Sequence, residues 1–487
     1  MVLALFTLTA ALLAYLACTR PEWFLPAFIA FPTILEVIII ASGGDASLIA
    51  AGPVTLRMVD PSALALLFGI MYHSYNHRPG RHLWRGAKLF TILIAVFLGV
   101  KVVLAVLSGS LGDTDVVANA VANKLGWGGV AALGEVRDDF LSLLVPLYVV
   151  VCGNRLKLYR LLTPMLVAMI IIVLKAVINI AMSGQVWSSD GRFRYITADE
   201  AVTLTIFALC IFLLLKRGGG TRIKQGFAIA CFLLALLANH RSQWLAASLG
   251  CAVLLLVLAS GKWSPFRNRT TGEVLRVVVA LAMLGAIGAA SLLSIHRGVT
   301  DISGTSGRLT AFTDPERDPT ASWRLRLWTD RLEQSREHII LGRQLGDRRP
   351  SLIDGAWLYV PNHNAYVTAI ELGGISLLTI VVIFWGSLVL DALRQLKGAA
   401  RHSRYNAPAV ALAVSVASLS FATAYDFPLL GPAVALLLLL PECREAPPMP
   451  VGMSCFQQHW VMRAPRSGLL PVPSQVSLNR SRRHPAI

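Results

Sequence analysis

The sequence predicts an all-α, polytopic integral membrane protein with about 12–13 transmembrane helices and one long extramembrane loop that contains short helices. Three observations carry this. The 487 residues are 55% hydrophobic and only 15% charged, and the mean hydropathy is +0.63. A soluble chain of this length could not cover so much apolar surface. Apolar runs of about 20 residues recur along most of the chain, the length a helix needs to cross a bilayer. The basic residues gather in alternate short loops, as positive charge does on the cytoplasmic side of a membrane.

The predicted spans are 2–18, 22–42, 52–73, 89–108, 139–152, 161–183, 200–215, 225–239, 243–260, 274–295, 366–391, 408–424 and 428–441. The first run lacks a basic n-region and a cleavage site, so it is expected to be a membrane helix and not a signal peptide. Basic loops at 78–88, 155–160, 216–224, 262–269 and 394–404 are expected on the inner side. The outer side then receives 109–138, 184–199, the 239–242 link and the long 296–365 segment. If every span crosses, the chain starts outside and ends inside. If one of the first three spans is re-entrant, the count becomes about 12 and the start moves inside.

Residues 1–442, including 296–365, are expected to form one membrane domain. The tail 443–487 is rich in Pro, Ser and Arg without periodicity, and is expected to be a disordered cytoplasmic segment. The net charge of +17 lies in the inner loops and the tail, which argues against a nucleic-acid partner. The seven cysteines form no CxxC pair, so neither a zinc site nor a disulfide framework is indicated. No Walker or dinucleotide fingerprint is present, and no cofactor is expected.

The long loop carries "ASWRLRLWTDRLEQSREHIILG", 321–342, with Trp323, Leu327, Trp328, Arg331 and Leu332 spaced for an amphipathic helix that closes at Gly342. Trp323 and Trp328 are expected to be interface anchors, as tryptophan commonly is at membrane edges. His338, on the same segment, is expected at the surface. Lys101, Lys175, Glu36 and Asp60 fall in or at the ends of spans and are expected to snorkel or to pair inside the bundle.

The chemistry-bearing residues converge on the outer side. Arg241, in "ANHRSQWLA", stands at the turn of a helical hairpin, where an arginine at membrane depth needs a partner. Polar turn residues alone would also account for it. Arg192 and Arg194, in "SSDGRFRYITADE", reach the same surface, and only one of them need face a site. Arg324 and Arg326 lie on the amphipathic segment. His363, between Asn362 and Asn364, stands where the chain enters an apolar helix, and its ordinary pKa suits proton transfer near neutrality. The bland alternative is the wet end of a membrane helix. Guanidinium groups offer parallel donors to phosphate. A lipid-linked diphosphate at the outer interface would therefore suit them, with the imidazole orienting or deprotonating an acceptor hydroxyl. No acidic cluster on that side implies a divalent metal.

Four local patterns resemble the O-antigen ligase and polysaccharide polymerase superfamily of bacterial inner membranes. "HNAYVTAIELGGISLL", 363–378, is similar to its histidine–asparagine motif before a helix with Glu-Leu-Gly. "RLRLWTDRLEQSREHIILGRQLG", 324–346, resembles its Arg…Trp…His-Pro-Leu-x-Gly segment. "HRSQWLA" resembles its Ser-Arg helix start, and "GRFRYITADEAVTL", 191–204, its arginine loop. Three departures stand out: Ile339 replaces the usual proline, His240 replaces a Ser or Thr, and "YITADE" lacks a Pro-Asn. The resemblance implies an inverting, metal-independent transfer of a glycan from undecaprenyl diphosphate to a sugar hydroxyl on the periplasmic side. The acceptor is lipid A-core or a growing glycan, and the setting is the inner membrane. It implies His363 and Arg241 as catalytic residues, and Arg192 or Arg194, Arg241 and Arg324 on the diphosphate. Asn364, Arg326 and Glu371 are expected in support. A transporter or flippase of lipid-linked saccharide is the alternative function.

Overall fold

The computed structural model describes residues 2–41, 49–51, 54–56, 60–76, parts of 92–103, 144–152, 156, 158–183, 195–214, 221–238, 240–259, 319–343, 351–353, 356–358, 362–399, 407–425, 427 and 431–439. The expected span 274–295, the tail 443–487, and Arg192 and Arg194 lie outside the described residues.

The architecture is all-α. In chain order the helices are α1 (Val2–Thr19), α2 (Pro21–Ala41), α3 (Asp60–Asn76), α4 (Leu158–Ser183), α5 (Ala198–Leu214), α6 (Thr221–Leu237), α7 (Arg241–Ala259), α8 (Pro319–Gln334), α9 (Ala365–Ala399), α10 (Ala407–Phe421) and α11 (Gly431–Leu439). Residues 144–152 are also helical. Among the described residues, β-structure is confined to two short antiparallel hairpins. One pairs β1 (Ile49–Ala51) with β2 (Val54–Leu56), and the other pairs β3 (Ser351–Ile353) with β4 (Ala356–Leu358). The first hairpin corrects the expected span 52–73. Its opening residues fold back as β2, and the helix begins only at Asp60, with Pro61 in the first turn, where it has no helical hydrogen bond to lose.

Among the described residues, two helical stretches are long and apolar enough to cross a bilayer, Arg160–Asn179 and Ala365–Leu396. Shorter apolar helices run Phe6–Thr19, Pro21–Leu35, Ile223–Leu236, Ser242–Val257 and Ala407–Phe421. Along α4, Val167, Ile170, Leu174 and Val177 are exposed at spacings of three and four. An apolar stripe of that kind on a 26-residue helix is stable against lipid and costly against water.

The core gathers around α10. Its alanines and serines are buried almost all round, and it packs against α5, α7, α9 and α11. The small side chains let backbones approach closely. A Cβ placed on Gly250 of α7 would lie 3.2 Å from the Ala413 carbonyl oxygen and 3.2 Å from the Ala417 methyl. Close small-residue contact is the ordinary device for packing helices in lipid. Inside the bundle Lys175 and Glu200 pair at 2.8 Å, as expected for Lys175, and Thr33 donates to the same carboxylate. That carboxylate also receives the Thr197 amide, while the Thr197 hydroxyl receives the Glu200 amide. This is a capping box that starts α5.

Several contacts tie helix ends together. Asn179 near the end of α4 donates to the Tyr195 carbonyl, and the Tyr195 hydroxyl donates to the Leu234 carbonyl of α6. The His240 Nε2–H donates to the Ile196 carbonyl, and the His240 carbonyl accepts the Trp244 amide at the start of α7. The end of α4, the start of α5, the end of α6 and the start of α7 therefore share one level. This agrees with placing 184–199 and 239–242 on the same side.

Candidate active site

The Asn362-His363-Asn364 triplet is built by its asparagines. Asn364 is the N-cap of α9: its Oδ1 accepts the amides of Tyr366 and Val367 at 3.0 and 3.2 Å. Such a cap is worth about 1 kcal/mol. Its Nδ2 donates to the Thr423 carbonyl just past α10. The start of α9 satisfies further carbonyls left orphaned at that end. The Ala365 amide is shared between Ala422 and Tyr425, and the Tyr366 hydroxyl donates to Leu419. Asn362 is pinned from the other side. Its Nδ2 donates to Glu371 Oε2 at 2.6 Å and to the Thr368 hydroxyl, and its carbonyl accepts the Trp328 indole N–H at 2.7 Å. Trp328 thus fastens α8 to the motif.

His363, between these two fixed residues, takes a left-handed backbone with φ of 50°. That conformation costs a non-glycine residue about 1–2 kcal/mol. It persists here because both neighbours are held. The half-buried imidazole meets the Tyr425 ring edge-on, centroids 5.8 Å apart and planes at 67°. Among the described residues neither ring nitrogen is claimed by a hydrogen bond. Burial first, and the positive charge of Arg324 second, lower its pKa from the ordinary value of 6.5.

Arg324 approaches from α8. Its guanidinium carbon stands 5.5 Å from the centroid of the Tyr425 ring, and it donates to the Ala424 carbonyl at 3.4 Å. A cation on an aromatic face at the carbonyl end of α10 is favoured twice, by the ring quadrupole and by the helix dipole. Among the described residues Ala424 is its single hydrogen-bond acceptor, which leaves most of its five donors. Arg326, about 200° further round α8, is exposed.

Glu371 is the hub beneath the motif. Besides Asn362 it binds Arg343 at 3.0 Å and Arg331 at 3.4 Å, and all three side chains of this ionic cluster are largely buried. The amphipathic segment is shorter than expected. α8 ends at Gln334, a 3-10 turn covers Ser335–His338, and Gly342 closes the segment with φ of 69°. His338 is exposed, as expected.

The segment after the 3-10 turn is spliced into α9. Gly374 breaks that helix with φ 61° and ψ −159°. The Ile375 and Ser376 amides then donate to Ile339 and Ile340, while the Glu371 carbonyl accepts the Arg343 amide. Lys101 donates to the carbonyls of Leu341 and Arg343. Ile339 has φ of −58°, the angle a proline ring would impose.

The structure thus brings together Arg324, His363, Asn364 and, beneath them, Glu371. Arg241 is the first residue of α7, and its side chain lies outside the described residues. Sequence reasoning missed Tyr425. An aromatic residue after an alanine-rich helix carries no signal until α10 is known to end beneath His363.

Residues 226–381, about a third of the chain, match the family model described as O-antigen ligase. The match runs from α6 through α7 and α8 to the His363 motif and the kinked half of α9. No curated protein matches the chain.

Proposed function

We propose, from the premise that residues 226–381 are an O-antigen ligase-family segment, that this protein transfers a glycan from undecaprenyl diphosphate to a sugar hydroxyl at the periplasmic face of the inner membrane. The contact that carries the reading is His363 and Arg324 on one ring, Tyr425. It sets a neutral imidazole beside a fixed guanidinium. The acceptor oxygen attacks the anomeric carbon as the carbon–oxygen bond to the diphosphate breaks from the opposite face, which inverts that centre. His363 takes the hydroxyl proton. Undecaprenyl diphosphate leaves with the bonding pair, and Arg324, Arg241 and one of Arg192 or Arg194 hold its growing negative charge. Fixed donors stabilise that charge more in the transition state than in the ground state.

Helix geometry supports a shared site for Arg241 and His363. Gly250 lies nine residues into α7 and meets Ala413, which lies eight residues before the end of α10. At 1.5 Å per residue, each end is about 12–14 Å from the contact. An antiparallel pair would therefore bring the start of α7 level with the end of α10.

Purified protein in liposomes, supplied with a lipid-diphosphate glycan and a sugar acceptor, tests the proposal. His363→Ala is expected to abolish product while the donor still binds, and Arg324→Ala to weaken both. Full transfer by His363→Ala would overturn it. Translocation of donor without bond formation would indicate a flippase instead.

A further inference from the structure

The turn that splices into α9 has a second character: its tip is apolar and uncovered. Ile339, Ile340 and Leu341 are exposed, Ile340 to 68%. They sit beside Ile375, exposed to 53%, because the Ile375 amide is bonded to Ile339. On α9 the exposed apolar residues continue from Ile375 to Val382, Ile383 and Leu390. Spacings of seven and eight keep one helical face. On a helix that crosses a bilayer, that face is the lipid face.

Depth follows from the charges. Asp391 and Arg394, paired at 3.4 Å, mark the far end of the apolar stretch of α9. A hydrocarbon core of about 30 Å takes about 20 residues, and counting back from Asp391 reaches Glu371. Ile375 is then one turn inside the hydrocarbon edge, and the tip of the turn is level with it. Non-helical backbone at that depth must have its polar groups satisfied. Here the Ile339 and Ile340 carbonyls take the Ile375 and Ser376 amides, the Ser376 hydroxyl adds a bond to Ile340, and the Leu341 carbonyl takes Lys101.

We infer that the turn Ile339–Leu341 is seated in the bilayer, its side chains among the acyl chains at the His363 end of α9. The bilayer is then a ligand of this loop. Lipid covers the outer side of the turn while Gly374 receives its inner side. The kink that holds Glu371 under Asn362 is fixed from both. Only α9's crossing of the bilayer is needed here; the transfer chemistry plays no part.

The unmodified protein provides the test. Trypsin cleaves after Arg336 and Arg343 and releases the turn as the single peptide 337–343. In phosphatidylcholine liposomes, a lipid bearing a diazirine in its acyl chain is expected to leave an adduct on that peptide after illumination. A lipid with the diazirine on its head group is expected to leave little. Adduct from the head-group probe alone would place the turn in water and overturn the inference. So would adduct from neither probe, since a second protein copy would then cover the turn. Ile340→Asn is expected to lower the acyl-chain adduct several-fold. An unchanged yield in that variant would count against seating by these side chains.

Discussion

The His363 imidazole lies edge-on to the Tyr425 ring at 5.8 Å, and the Arg324 guanidinium stands 5.5 Å from the centroid of the same ring. Burial and the arginine charge together favour the neutral histidine. Burial is the larger cause and the arginine charge the smaller. A base works when neutral, so transfer is expected to persist below pH 6.5 and to fall as pH drops through the lowered value. In Arg324→Ala the acid limb moves to higher pH, though only part of the way, because burial remains. In Arg324→Lys it stays in place. Rate-against-pH profiles on the three proteins check this, and identical limbs in all three would sink it. Stability has the same sign. A histidine whose folded pKa is depressed contributes above pH 6.5, and that contribution is lost as pH falls through the folded value.

Tyr425 is expected to act through its ring and not through its hydroxyl, for which the described residues offer no hydrogen-bond partner. Its stack on Phe421, 5.2 Å between centroids, fixes the ring. Tyr425→Phe keeps the surface that Arg324 and His363 share and is expected to transfer within about threefold of the parent. Tyr425→Leu removes the cation–π contact, worth about 0.5–2 kcal/mol. It is expected to lose transfer by at least tenfold, with an altered acid limb. Equal activity in the two variants would leave the ring without a role.

Glu371 joins Arg331, Arg343 and Asn362 below the motif. Removing one member of a buried ionic cluster costs about 3–5 kcal/mol, because the other charges stay buried. Glu371→Ala is therefore expected to lower the melting temperature in detergent and to abolish transfer. Glu371→Gln keeps an acceptor for Asn362 and is expected to fall between Ala and the parent. A Glu371→Ala protein that melts with the parent would show that the cluster does not hold the site.

Much of this was legible in the residues. Helix positions follow from apolar length, so most spans came out within a few residues, as α1 and α10 show against 2–18 and 408–424, while α9 starts as expected but runs eight residues past 391. The exception, 52–73, failed because hydropathy does not separate a hairpin strand from the start of a helix. Asn364 was expected only as a support beside His363, and its role as the N-cap of α9 came from the structure. The splice of 339–341 into α9 was not legible, since backbone bonds from Ile375 to Ile339 and from Ser376 to Ile340, far apart in the chain, leave no periodic trace. The glycines of "ELGG" were its one local sign. The Trp328 bond to Asn362 was not legible either, because an indole at a membrane edge and an indole on a carbonyl look alike in sequence.

Those glycines give the sharpest structural contrast. A Cβ on Gly374 would lie 2.4 Å from the Ile339 carbonyl oxygen, and φ of 61° disfavours any side chain there. Neither neighbour can yield, because Ile339 and Ile340 are bonded to the two amides that follow the glycine. Gly374→Ala is expected to break the splice, loosen the turn from Glu371, and lower both melting temperature and transfer. Gly386, twelve residues on in the same helix, has open space around its Cβ position. Gly386→Ala is expected to be neutral or to stabilise by up to about 1 kcal/mol, since alanine favours helix. Melting curves of the two variants in the same detergent decide the matter. Equal midpoints would mean that the interruption at Gly374 is not held by the 339–342 turn.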